Sequence, residues 1–169
     1  MSFMPNTLYD VIAETWPAAK LHRAGQWTIR DGQGGGKRVS AATADGSVQP
    51  IDIQQAESAM QELGQRPLFM LRDGEADLDA LLANAGYEMI DPTNLYQAPI
   101  ANIATQRPPR TSMFCIWEPL QIQYDIWAAG GITRPRLSIM QRTTAKKTSL
   151  FGRWNNRPAA TGFAAIHAG

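Results

Sequence analysis

Apolar positions recur along the chain with two different periods, and their alternation lays out a series of helices and strands. Residues 7–15 carry Leu8, Val11 and Ile12 on one helical face. Trp27–Arg30 and Arg38–Thr43 read as two strands of a hairpin, joined by Asp31–Lys37 with its four glycines as a mobile tip. A second helix is signed by Asp52 as its cap, with Gln55 three residues on and Ile53, Ala56, Met60 and Leu63 along one side. Gly64 closes it, because glycine takes the positive φ a helix end needs. Pro67–Leu71 follows as a short buried strand, and Leu78, Leu81, Leu82 and Ala85 then mark a helix ending at Gly86. Tyr87–Ile90 and Asn94–Gln97 read as extended pieces.

From Asn102 to Arg110 the periodicity disappears, and Arg107-Pro108-Pro109-Arg110 stiffens the chain as a linker. Beyond it come a strand at Met113–Trp117 and a helix at Leu120–Ala129 closed by Gly130-Gly131. A further helix at Arg134–Arg142 has Pro135 in its first turn, where a missing N–H costs nothing. A hairpin ends the series: Thr148–Arg153, a turn through Asn155-Asn156, then Ala159–His167. Asparagine tolerates positive φ, which suits a tight turn. The pattern predicts an α/β protein with an α+β mixed sheet, divided into an N-terminal half at 1–101, a linker at 102–110 and a second half at 111–169. That second half reads as an unfinished sheet. Residues 159–167 are apolar on both faces and lack charge, so this edge calls for cover by further residues of the same chain or by a second copy in a homo-oligomer.

Composition narrows the class without naming an activity. The chain has 169 residues, of which 44% are hydrophobic and 18% charged, as in globular proteins. No apolar run approaches the roughly 20 residues that span a bilayer. The opening Met1–Asn6 lacks the features of a signal peptide, and a lone cysteine fits a reducing, cytoplasmic setting. Cys115, set among Met113, Phe114, Ile116 and Trp117, is expected to be buried filler. The net charge of +1 conceals a split. Through Asp125 the chain holds all 15 acids, and beyond it stand seven basic residues from Arg134 to Arg157 with no acid. Such a segment suits an anionic partner, or simply an acidic neighbour in the fold.

Motifs for the common chemistries fail on spacing. In Gly32-Gln33-Gly34-Gly35-Gly36-Lys37-Arg38, Asp31 stands where a P-loop has its first glycine, and Arg38 where the magnesium-binding hydroxyl belongs. His22 and His167 stand far apart with no cluster around either, so no metal site is indicated. No Gly-x-Ser-x-Gly nucleophile turn occurs. The five tryptophans are scattered over different elements and read as core and interface anchors.

Glu14-x-Trp16-Pro17-Ala18, Gly25-Gln26-Trp27-x-x-Arg30 and Arg38-Val39-Ser40 resemble the N-terminal part of a bacterial subgroup of GNAT-type N-acetyltransferases. Gly64-Gln65-Arg66-Pro67 and the stretch from Leu78 to the Gly86-Tyr87 exit are similar as well. Lys147–Arg153 and Arg157–Phe163 resemble the second and third strands of the family's catalytic half. The resemblance implies a GNAT-like fold and transfer of acetyl from acetyl-CoA to a small-molecule or peptide amine. In the family the acetyl-CoA pyrophosphate lies on a loop of form Arg/Gln-x-x-Gly-x-Gly/Ala opening a helix, where backbone N–H groups and the dipole meet the phosphates. The near match, Gln33-x-x-Gly36-x-Arg38, has arginine where a small residue is needed and lies in a predicted hairpin. No catalytic or cofactor-binding residue is therefore assigned, and the chain reads as stopping before that loop. The alternative is a non-catalytic binding or partner module using the basic segment 134–157. Nucleic acid is a weaker third, since basic residues interleave with Phe151 and Trp154 without a recognised nucleic-acid fold signature.

Overall fold

The computed structural model describes residues 5–167, with side chains from Leu8 on. The readings placed on Met1–Met4 and on Gly169 lie outside the described residues. The fold is mixed α/β, built around two separate three-stranded antiparallel sheets. By its internal contacts the chain forms two compact units. One is Trp16–Pro92; the other joins the described residues up to Thr15 to those from Thr93 onward.

In the Trp16–Pro92 unit, β1 (Lys20–Ala24) and β2 (Trp27–Asp31) form a hairpin whose two-residue turn starts at Gly25, φ +56°. Sequence reading missed β1 because its residues are mostly exposed and show no apolar alternation. The partner expected at Arg38–Thr43 is shorter: β3 is only Thr43–Ala44, and Lys37–Val39 winds into a 3-10 turn. Pro67–Leu71 does not form a strand. It makes one parallel bridge, Ala42 to Phe69, with Ala42 N–H donating to Leu68 O and Met70 N–H to Ala42 O. The expected mixed sheet is thus corrected to two antiparallel ones plus this bridge.

Two helices cover that sheet. α2 (Pro50–Glu62) presents Ile53, Ala56 and Met60, and α3 (Ala76–Asn84) presents Leu78 and Leu82, at the spacings of one helical face. These meet Trp27, Ile29, Ala42 and Ala44 in one core. Trp27 is fully buried, and its indole N–H donates to Asp52 O at 2.9 Å. That bond satisfies the one polar atom of the largest core side chain. Asp52 does not cap α2 as expected. Pro50 is the first helical residue, Gln49 precedes it, and Asp52 Oδ2 accepts the Gln49 N–H at 2.8 Å. The predicted extended pieces at Tyr87–Ile90 and Asn94–Gln97 have no regular structure.

The other unit contains α1 (Pro5–Thr15), a short α4 (Ile100–Ile103), β4 (Met113–Ile116), α5 (Gln121–Ala129), α6 (Arg134–Arg142), β5 (Lys146–Trp154) and β6 (Arg157–Ile166). Its strands run in the order β4-β5-β6, each antiparallel to the next, so β6 lies at the edge. The turn between β5 and β6 is as expected: Asn155 and Asn156 both take positive φ, 48° and 58°. Gln123 ties α5 to the sheet. Fully buried, it accepts from Leu120 N–H at 3.0 Å and donates to Thr161 Oγ1 at 3.1 Å and Leu150 O at 3.3 Å.

Candidate functional site

The first two turns of α2 and the last turn of α3 enclose a groove of about 370 Å³, lined by Pro50, Ile53, Gln54, Glu57, Leu81, Asn84 and Ala85. Local sequence builds each wall. Pro50 starts α2 and brings Ile53, Gln54 and Glu57 to one side at helical spacing. Gly86, at φ +90°, ends α3: its N–H donates to Ala83 O and the Tyr87 N–H to Leu82 O, both at 3.0 Å. This glycine-closed helix end sends Tyr87 back toward α2. There the Tyr87 phenol donates to Glu57 Oε1 at 2.5 Å, while its ring meets Phe69 edge-on at 5.0 Å. Burial, and then the hydrogen bond to Glu57, push the Tyr87 phenol above its usual range.

The groove therefore combines apolar side chains and two amides with one carboxylate oriented by the Tyr87 phenol. Gln54 and Asn84, both exposed at its rim, make no side-chain hydrogen bond among the described residues. Neither α2 nor α3 contains a lysine or arginine. Such a site can bind and orient a ligand. Among the described residues no three His, Cys, Asp or Glu side chains stand together as metal ligands.

The features singled out in the sequence lie elsewhere. The glycine loop is not the free hairpin tip expected of it. Gly32 and Gly35 are buried, and Gln65 clasps the loop's start, accepting from Gly32 N–H and donating to Arg30 O, both at 2.8 Å. Lys37 forms an ion pair with Asp91. Arg30 donates to Ala41 O at 2.9 Å and to Thr43 Oγ1 at 3.1 Å, fastening the far end of the loop. Burial, and next the charge of Arg72, lower its pKa. Cys115 is exposed on β4, against expectation: the alternation along Met113–Ile116 turns Phe114 and Ile116 inward and Cys115 outward. His22 is exposed on β1 and His167 half-buried just after β6. Of the tryptophans, Trp27 and Trp127 are core residues, whereas Trp154 is 75% exposed.

The basic segment 134–157 is partly engaged in its own unit. Lys147 Nζ donates to Gln141 O at 2.5 Å and Thr143 O at 2.6 Å, closing the end of α6, and lies 4.6 Å from the Trp117 ring centre. Arg153 donates to Asn156 O across the hairpin turn at 2.9 Å. Among the described residues no helix is long and apolar enough to cross a membrane. No protein-family model, curated protein or solved structure matches the chain.

Proposed function

We propose that the chain serves acetyl transfer of the GNAT type, from acetyl-CoA to an amine. One observation carries the reading. β4, α5, α6, β5 and β6 follow one another as strand, helix, helix, strand, strand, and the three strands pair antiparallel in chain order. The two segments that resemble the second and third strands of the family's catalytic half, Lys147–Arg153 and Arg157–Phe163, lie in β5 and β6, which pair as an antiparallel hairpin with a bulge between Gly152 and Arg153.

The cofactor itself does not fit the residues present. The near match at Gln33-Gly36-Arg38 leads into a three-residue 3-10 turn, which offers no α-helix N-terminus to a pyrophosphate, and Lys37 is already paired with Asp91. On this reading the described residues supply scaffold and acceptor side, and no proton-transfer step is assigned to them.

Calorimetric titration with acetyl-CoA tests the reading on two samples, the product of the intact native gene and these 169 residues alone. A native gene product that carries more chain than these 169 residues is expected to bind at micromolar ligand, and the 169 residues alone to show no isotherm. Silence from the intact product overturns the reading; a clear isotherm from the 169 residues overturns the misfit of the cofactor.

A further inference from the structure

We infer that the groove between α2 and α3 is a binding site for a small organic ammonium ion bearing an apolar tail. Its lining joins hydrocarbon from Pro50, Ile53, Leu81 and Ala85 to the polar side chains of Gln54, Glu57 and Asn84, with Ile53 buried in the core beneath. Its volume, about 370 Å³, falls within the range of roughly 300–1,000 Å³ typical of small-molecule sites. An apolar body accounts for the walls; the charge of the ligand is set by what stands over them.

Glu57 decides the sign. The Tyr87 phenol occupies Oε1, which orients the carboxylate and leaves Oε2 without a partner among the described residues. A carboxylate normally accepts several hydrogen bonds, so a positioned N⁺–H donor completes its set at little orientational cost. Neither helix supplies a competing cation, because α2 and α3 carry only acidic charge, Asp52, Glu57 and Glu62 on one and Asp77 and Asp79 on the other.

The helix ends agree with that choice. Leu81, Asn84 and Ala85 form the carbonyl end of α3, the negative pole of its dipole. The opposite pole at α2 is already offset: Pro50 has no N–H, and Asp52 places its own carboxylate on the Gln49 N–H. An anion entering the groove would therefore meet the Glu57 carboxylate with no cation on either helix to offset it. The amides of Gln54 and Asn84 at the rim can bond a ligand's polar tip without changing the sign. This inference rests on the groove alone, and acetyl-CoA takes no part in its test, so its failure and that of the acetyl-transfer reading are told apart.

The test is an amide NMR titration of the 169-residue protein with phenethylammonium, beside two probes of similar shape, neutral phenethyl alcohol and anionic hydrocinnamate. Phenethylammonium is expected to bind at millimolar concentration or below and to shift the amides of the first half of α2 and the last turn of α3. The alcohol should bind about tenfold more weakly or worse, and hydrocinnamate not at all. Glu57→Gln keeps an acceptor for the Tyr87 phenol and should lose about tenfold in ammonium affinity. Ala85→Leu, at an exposed position outside the core, should fill the groove and block binding with the carboxylate intact. Three outcomes would overturn the inference: no shifts at these helices with millimolar phenethylammonium, equal binding of the alcohol, or unchanged affinity in both variants. Equal binding of the alcohol would make the groove a merely apolar contact surface.

Discussion

The phenol of Tyr87 donates to Glu57 Oε1 at 2.5 Å, joining the residue just past α3 to the middle of α2. The half-buried phenol sets a pH dependence. In the folded chain the phenol holds its proton above the ordinary value of 10.0, through burial first and the carboxylate second. Below that value both folded and unfolded chains are protonated and the contribution to stability is complete. As pH rises past it, the unfolded chain releases its proton first, so stability falls toward the folded pKa. Denaturant midpoints measured on both sides of pH 10.0 should fall more steeply in the native protein than in Tyr87→Phe. Parallel curves would show that the phenol does not set the titration.

Gln123 makes the corresponding link in the other unit. With no exposure to solvent, it accepts from Leu120 N–H and donates to Leu150 O and Thr161 Oγ1. Gln123→Met keeps most of the volume and leaves those groups unsatisfied. About 1–3 kcal/mol should be lost in chemical unfolding, the cost of stranding buried polar groups. A change below about 0.5 kcal/mol, the level of an ordinary surface substitution, would show that water replaces the side chain.

Gly32 tests whether the glycine loop is built or merely loose. A Cβ there would stand 2.7 Å from Val39 O, a backbone atom that cannot swing aside. Gly32→Ala should therefore lower the thermal midpoint clearly, at a cost of about 1–3 kcal/mol as in overpacked cores. Gly64 has nothing within 4 Å of its would-be Cβ, so Gly64→Ala should reveal only the strain of φ +68°, about 1–2 kcal/mol. If Gly32→Ala proved neutral, the loop would be as free as its composition suggests.

At the β5–β6 turn, Asn155 and Asn156 hold positive φ. Asn156→Gly should leave stability unchanged or slightly raised, and Asn156→Val should lower it by about 1–2 kcal/mol. Thermal unfolding of the two variants checks the difference, and equal melting would place the hairpin's stability outside its turn.

Strongly periodic elements were legible in the sequence because their faces are buried on one side. Ile53, Ala56 and Met60 marked α2, Leu78 and Leu82 marked α3, and the asparagine pair marked the last turn. β1 escaped because both its faces are largely exposed, leaving nothing apolar to alternate. Arg38–Thr43 misled through Val39 and Ala41, whose burial comes from a 3-10 turn and loop closure by Arg30 and Gln65, while only Thr43 lies in a strand. Cys115 was misplaced because a four-residue edge strand in an apolar stretch gives no sign of which face is inward. The groove carried one faint signal, the absence of any basic residue from Pro50 to Gln65, sixteen residues of helix and turn ahead of the first arginine. The Tyr87–Glu57 bond spans thirty positions and depends on how Gly86 turns the chain, which no local pattern records.

Turnover tests the proposed acetyl transfer most directly. The product of the intact native gene, incubated with acetyl-CoA and a panel of primary amines, should release coenzyme A as free thiol. Release should require an amine and should leave an acetylated amine of matching amount. Absence of amine-dependent thiol release across the panel, from protein shown to be folded, would contradict the account.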